Sequence, residues 1–576
     1  MAKSKNPRLC QLETPFETDT ALSWQSEHPR PQLKRDSWQN LCGQWQLSVK
    51  TANSTEQSLG EIAVPYPPES RISGIMRPLA EDETYIYTKI FSLESFKDKK
   101  ILLHFGAVDQ QCKVFVNEIF AGEHTGGYLP FTFDITEYAV MGQNTLRVEV
   151  TDKLDIDLAY GKQTKKRGGM WYTPISGIWQ AVWLETVAPN YIKEMRLTPS
   201  LHSITIETDG GCDEKTVVIT TPQGKITHSF NGSKTTVNIP NPQLWSPESP
   251  YLYSFTLTSG NDKIESYFAL RTITIKKVNG QSYICLNGKP YFFHGLLDQG
   301  YYSDGIYTPA TPNGYVYDIL TMKKLGFNML RKHIKIEPDL FYYYCDKYGM
   351  VVFQDMLNAG TYHYIIDTVL PTIGFKRGFT HPANAKRKEA FERECRLTCD
   401  LLYNHPCVCY YTIFNEGWGQ YDADRIYTEL KEYEPTRIWD ATSGWFFEKE
   451  SDVDSHHIYF RKIKMKARRE RPLVLSEFGG YSYKVENHSF NLDENYGYKT
   501  FDSAESLTKG LCDMYLNEIV PAIENGLNAT VLTQLSDVED ETNGLVTYDR
   551  QVVKNDEKTM ADMAQQLFRA FREKTE

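Results

Sequence analysis

Tyr410-Tyr411-Thr412-Ile413-Phe414-Asn415-Glu416-Gly417-Trp418 is a short apolar run that stops at a carboxylate followed by a glycine. Pro472-Leu473-Val474-Leu475-Ser476-Glu477-Phe478-Gly479-Gly480 repeats the pattern further along the chain. A run of this length with its polar group at the far end reads as a buried parallel strand whose C-terminal end carries a reacting side chain. Two such strands in one sheet place two carboxylates at one mouth.

Around these runs, from Asn279-Gly280 onward, strands alternate with amphipathic helices. Tyr315–Leu325 precedes Phe327-Asn328-Met329-Leu330, Leu340–Tyr348 precedes Met350-Val351-Val352-Phe353, and Ala385–Tyr403 precedes Val408–Phe414. Strand–helix alternation of this length predicts a (β/α)8 TIM barrel over residues 278–576. Upstream the texture differs. From Trp38 to Ala188 short alternating segments recur, such as Ile101–Phe105, Lys113–Val116 and Thr145–Val150, with turn signals between them. Residues 1–188 are therefore read as a jelly-roll β-sandwich. Residues 189–277, with strands at Lys215–Thr220, Thr235–Ile239 and Tyr253–Leu257, have the length of an immunoglobulin-like β-sandwich.

A chain of 576 residues exceeds one hydrophobic core, which agrees with three domains. A net charge of −11 argues against nucleic-acid partners, and the basic stretch Arg461 to Arg471 is read as a solvated helix face. The N-terminal Met1-Ala2-Lys3-Ser4-Lys5 has charge but no apolar run after it, and no segment approaches the roughly 18 apolar residues of a membrane span. The expectation is a cytoplasmic protein with no membrane partner. Eleven cysteines fit a reducing compartment; Cys395, Cys399, Cys407 and Cys409 read as buried thiols, since no second Cys/His pair has zinc-ligand spacing. Trp171, Trp179 and Trp245 read as core. Aromatics are plentiful, with 37 Tyr, 28 Phe and 10 Trp, and aromatic faces stack on the C–H face of a sugar ring.

In a barrel of this kind the active site is built at the C-terminal ends of the strands. The residues there are Asp298 after Phe292-Phe293-His294-Gly295, Arg331 and His333 after Met329-Leu330, and Asp355 after Val352-Phe353. Asn415 and Glu416, then Tyr459 after Asp454-Ser455-His456-His457, then Glu477 and Asp537 complete the series. Acids, amides and a phenol at one mouth suit hydrolysis of a glycosidic bond, which needs one carboxyl to protonate the leaving oxygen and one carboxylate at the anomeric carbon. Two glutamates a few Å apart push each other's titrations apart, so one keeps its proton near neutral pH. Glu416, beside the Asn415 amide, is assigned as acid and Glu477, on a strand-to-glycine turn, as nucleophile. Asn-Glu alone carries no weight: Asn117-Glu118 reads as a hairpin turn and Asn517-Glu518 as mid-helix.

The run Leu286-Asn287-Gly288-Lys289-Pro290 to Asp298, the block Gly326–His333, the pairs at Glu416 and Glu477, and Asp537 to Asp549 together resemble glycoside hydrolase family 2. Val64–Ser70, Gly126–Phe131 and Ser176–Gln180 resemble its sugar-binding sandwich, and Leu244–Pro247 with Tyr251–Tyr253 its middle domain. The resemblance implies a retaining β-glycosidase in which Glu416 is acid/base, Glu477 nucleophile, Arg331 and Tyr459 supports of the nucleophile, and Asn415, Asp298, His333 and Asp355 contacts to sugar. It implies an exo-acting enzyme with a β-galactoside as the leading substrate; a β-glucuronide, a β-mannoside, another sugar, or a carbohydrate-binding protein without catalysis are the alternatives. His333 follows Arg331 one residue early for the family's spacing, and Thr533-Gln534 stands where an aromatic is expected. No Asn-x-Lys stands near Asn543-Gly544-Leu545, where β-glucuronidases carry the pair that holds a carboxylate. No cofactor is required by this reading and no metal ligands are assigned, although some relatives place a divalent cation beside the acid. The expected partner is a carbohydrate substrate, and a homo-oligomer fits the habit of relatives.

Overall fold

Alternation of buried and exposed side chains builds the first two units. The computed structural model describes residues 7–17, 24–372, 383–468 and 470–576; residues 1–6 of the charged N-terminal stretch and residue 469 of the basic stretch lie outside them. The first unit pairs a six-stranded antiparallel sheet, centred on Gly43–Thr51, Glu83–Leu93 and Gly142–Thr151, with a four-stranded sheet containing Lys100–Phe105 and Val182–Val187. Their facing sides bury Trp45, Tyr87, Leu103, Phe105, Val114 and Val148. The second unit packs a three-stranded sheet on a four-stranded one around Ile206, Val217, Phe255 and Leu257. Asn117 and Glu118 sit in a turn at φ 50° and 64° between the strands Gln111–Val116 and Ile119–Thr125.

The third unit is a barrel of eight parallel strands: β1 Phe293–Asp298, β2 Met329–Lys332, β3 Val351–Asp355, β4 Val408–Asn415, β5 Ile438–Ser443, β6 Asp454–Ile458, β7 Leu473–Gly479 and β8 Leu527–Thr533. Hydrogen-bonded order runs β5-β4-β3-β2-β1-β8-β7-β6. The seam between β5 and β6 is bridged by the His457 amide donating to the Gly444 carbonyl at 3.4 Å and by Ser455 Oγ donating to the Thr442 carbonyl at 3.5 Å. The strands are buried on both faces, which is why they read as unbroken apolar runs. Helices Asn313–Lys324, Asp339–Tyr348 and Ala385–Leu402 lie between them in the chain. Cys395, Cys399, Cys407 and Cys409 are buried and unbridged. Among the described residues no helix is long and apolar enough to cross a membrane.

One expectation is overturned. Residues 461–468 of the basic stretch form no helix. Ile463 and Ala467 are buried and Met465 is partly buried, while the basic residues between them face outward. That is a period of two, the mark of extended chain, and not the helical period.

Arg35 fastens the sandwiches to each other. Its guanidinium donates to Glu185 Oε2 of the first unit at 2.7 Å, and to Asp262 Oδ1 (2.8 Å) and Oδ2 (3.0 Å) and the Ile192 carbonyl (2.6 Å) of the second. Glu185 and Asp262 are both buried. Arg35→Ala leaves them there without their cation, so we expect a loss of about 3–5 kcal/mol from the first urea transition followed by tryptophan fluorescence. An unmoved midpoint would show that this clamp contributes nothing.

Candidate active site

Strand β4 ends at Asn415, and the chain then turns through two left-handed residues, Glu416 at φ 49° and Gly417 at φ 71°. A non-glycine residue in that region is held there at a cost of about 1–3 kcal/mol. The turn is secured by the Glu416 amide donating to the Ser443 carbonyl (3.2 Å) and the Trp418 amide donating to the Asn415 carbonyl (2.8 Å). It lifts the Glu416 carboxyl over the barrel mouth. Glu477 arrives from β7, whose pairing with β8 shifts register between Leu475 and Phe478 and whose pairing with β6 shifts between His456 and His457. Such irregularities re-aim side chains, here Glu477 and His457, toward the same point. One oxygen of Glu416, one of Glu477 and a ring nitrogen of His457 all lie within 4.8 Å of one another.

Arg331, 1% exposed, organises this point. Nε donates to Asp355 Oδ1 (2.9 Å), Nη1 to Glu477 Oε1 (3.0 Å) and the Ser476 carbonyl (3.0 Å), and Nη2 to Asn415 Oδ1 (2.9 Å) and Ser443 Oγ (3.1 Å). Tyr459 Oη donates to the other Glu477 oxygen at 2.5 Å. His457 Nε2 lies 3.4 Å from Arg331 Nη1, which can only donate, so its proton sits on Nδ1 and points at Glu416 Oε1, 2.9 Å away. Burial holds the imidazole neutral, at about 3, against the pull of Glu477.

Both glutamates are raised, each against its own set of neighbours. Burial pushes Glu416 up to about 7, only partly opposed by Lys162 and Arg331. Burial also raises Glu477 and Glu416 adds to the rise, opposed by the Arg331 charge and the Tyr459 hydroxyl. Asp355 lies below the usual carboxylate range: burial would raise it, and the Arg331 charge and the His333 hydrogen bond outweigh burial.

Of the residues singled out from the sequence, Glu416, Glu477, Asn415, Arg331, Tyr459, Asp355 and His333 meet at this mouth. Asp355 is turned to Arg331 and to His333 Nδ1 (2.8 Å), which leaves His333 Nε2 as an acceptor with no donor among the described residues. Asp298 is not brought into the cluster. Its Oδ2 is 2.6 Å from Lys332 Nζ and its Oδ1 accepts from the Gly300 amide (2.9 Å), in a separate buried network with Glu337 and Lys335. Asp537 is likewise engaged, by Lys554 Nζ at 2.6 Å. Sequence reasoning holds His456 and His457 as equal candidates, of which His457 is the one at the mouth; it offers no sign of Ser443, Trp418 or, from the first sandwich, Lys162. Trp179 and Trp245 are core. Trp171 is not; it is only partly buried, and its ring stands 5.3 Å from that of Trp418 and 5.2 Å from that of Tyr362. Among the described residues, Glu416, His457 and Glu477 are the ligating side chains close enough to share a cation.

The chain matches the family descriptions "Glycosyl hydrolases family 2, sugar binding domain" over residues 61–188, "Glycosyl hydrolases family 2" over 193–271 and "Glycosyl hydrolases family 2, TIM barrel domain" over 276–565. A beta-galactosidase of Thermoanaerobacter pseudethanolicus is 27% identical over 445 residues, 71% of this chain and 56% of its own length. Human beta-glucuronidase is 24% identical over 389 residues, 59% of this chain and 55% of its own length. The chain thus spans about half the length of the curated relatives it matches. Among solved structures, the beta-D-glucuronidase of Dictyoglomus thermophilum superposes with a TM-score of 0.73 at 18% identity, covering 94% of this chain and 98% of the other. The beta-galacturonidase of Eisenbergiella tayi bound to galacturonate gives 0.67 at 18%, covering 94% and 99%. At such identities these two likenesses concern the fold alone.

Arg331→Met removes the cation from two buried carboxylates, and we expect a loss of about 3–5 kcal/mol at pH 7. Asp355 is depressed in the folded chain, so its contribution is present above its unfolded value of about 3.9 and fades as pH falls through the folded one. The gap between the two proteins in urea unfolding should therefore narrow below about pH 4. A gap constant from pH 7 to pH 3 would deny Asp355 that role.

Proposed function

The chain belongs to glycosyl hydrolases family 2, and we propose that it is a retaining, exo-acting β-glycosidase that removes a terminal sugar by double displacement, with a β-galactoside as the leading substrate. The observation that carries this reading is the pair Glu416 and Glu477, with oxygens within 4.8 Å of each other and unlike surroundings. The closeness of that oxygen pair suits the roughly 5–5.5 Å of retaining enzymes better than the gap of about 6.5–9.5 Å that holds a water in inverting ones.

Glu416, titrating about 7, keeps a proton for the glycosidic oxygen. Arg331 and Tyr459 each bind one oxygen of Glu477, and both hydrogen bonds favour its carboxylate form. In the first displacement a Glu477 oxygen bonds to the anomeric carbon. The bond to the leaving oxygen breaks, and that oxygen takes its electron pair and the Glu416 proton. In the second, Glu416, now ionised, accepts a proton from water as the water oxygen bonds to the anomeric carbon and Glu477 leaves. One water is consumed and both glutamates return to their starting forms. Asn415 Oδ1 is engaged by Arg331 and Ser443, which turns its amide N–H groups toward the pocket as donors to a sugar hydroxyl; His333 Nε2 is an acceptor beside it. Trp418 and Trp171 supply aromatic faces.

The identity of the relative named beta-galactosidase supports a galactoside, and the relatives named beta-glucuronidase support a uronide as the second reading. A panel of nitrophenyl β-glycosides separates them. In wild type, kcat/KM should decline above about pH 7 as Glu416 loses its proton, since the acid form is the active one. Glu416→Ala should lose most turnover, lose that alkaline limb, and regain rate with azide by forming a β-glycosyl azide. An α-glycosyl azide, or no rescue, would count against the assignment.

A further inference from the structure

Lys162 belongs to the first sandwich, yet its ammonium stands at the barrel mouth. Nζ lies 4.6 Å from the centre of the Trp418 ring and 5.4 Å from that of Trp171. The loop that carries it is fastened to the barrel segment after β8. Tyr172 Oη donates to Glu541 Oε2 (3.0 Å), the Thr173 amide to Glu539 Oε1 (2.9 Å), and Arg167 Nη1 reaches Glu539 (3.3 Å) and Asp540 (3.1 Å). The Tyr172 amide also donates to the Lys162 carbonyl at 3.1 Å, which fixes the turn.

Lys162 is 5% exposed, and among the described residues no acceptor lies within hydrogen-bonding reach of its ammonium. The carboxylates that act on it are Glu541, then Glu416 and Glu477. Glu541 is its counterpart. Oε2 accepts from Tyr172 and from Gln534 Nε2 (2.7 Å), while Oε1 accepts from no donor among the described residues. A buried ammonium and a buried carboxylate, close enough to feel each other yet not in contact, each keep unused hydrogen-bonding capacity beside the reacting pair. Buried polar groups are ordinarily satisfied, and a group left open in a pocket is satisfied by what binds there. A sugar hydroxyl both accepts and donates, so neighbouring hydroxyls would complete Lys162 and Glu541 together.

Charge decides between sugars. Arg331 is matched by Asp355 and Glu477, and the Lys162 ammonium faces Glu541, Glu416 and Glu477, so among the described residues four carboxyl groups surround two cations and an acid substituent would add a fifth. Building on the glycosidase reading above, we propose that Lys162 of the sandwich is a sugar-binding residue that acts with Glu541, and that the pocket takes an uncharged, hydroxyl-rich terminal sugar in preference to a uronate.

The test uses the full chain, wild type and Lys162→Met, with nitrophenyl β-galactoside, its singly deoxygenated analogues, and the β-glucuronide and β-galacturonide. If another neutral glycoside is the better substrate, the deoxy series is built on that sugar. Wild type should prefer the neutral glycoside. Lys162→Met should lose about 100-fold in kcat/KM on it, a loss that nearly vanishes on one deoxy analogue because the hydroxyl it grips is already gone. A misfolded fraction would lower every substrate alike, and Lys162→Gln, which keeps a donor, serves if the Met variant does not fold. An equal loss on all analogues, no loss, or a wild-type preference for uronides that Lys162→Met abolishes would overturn the proposal. Absence of turnover on every glycoside in wild type would instead sink the glycosidase reading, and this one with it.

Discussion

A guanidinium without water must have every N–H matched, and that demand shapes the barrel mouth. Arg331 leaves β2 and finds partners on β3, β4, β5 and β7: Asp355, Asn415, Ser443, Glu477 and the Ser476 carbonyl. Stripping water from such a charge costs several kcal/mol, which only near-complete pairing offsets. The arrangement orients Asn415 by its oxygen and Glu477 by one oxygen, leaving the second for Tyr459. Glu416 has no guanidinium of its own; its near neighbour is a neutral imidazole. Both glutamates are raised by burial, and the contact that sets their surroundings apart is the Arg331 hydrogen bond, made to Glu477 and not to Glu416.

Much of this was legible in the sequence because burial on both faces writes itself as an apolar run. Tyr410–Phe414 and Leu473–Leu475 could be little other than interior strands, and a carboxylate ending each could only lie at the mouth. The order of motifs along the chain then fixed the family. Alternation was equally plain in the sandwiches, where Glu214–Thr221 buries every second residue.

What stayed hidden depended on contacts distant in sequence or on local register. His456 and His457 are indistinguishable as letters; a register shift between them turns one toward Glu416 and the other toward Asp454, 3.0 Å away. Asp298 reads like any acid at a strand end, and its pairing with Lys332 requires knowing that neighbouring strands set them side by side. In the basic stretch the many charges mask the alternation of Ile463, Met465 and Ala467, whose spacing is that of extended chain. Trp171 and Lys162 gave no signal, since nothing in an all-β segment says that one of its loops leaves its own domain.

That loop has an evolutionary corollary. Its anchors lie on both modules: Tyr172 and Arg167 on one side, Glu541, Glu539 and Asp540 on the other. Exchange of either module for a homologous one breaks matched pairs and removes a wall of the cleft in a single event. A substitution on one side of these pairs therefore strands its partner on the other, across what looks, from the outside, like a domain boundary.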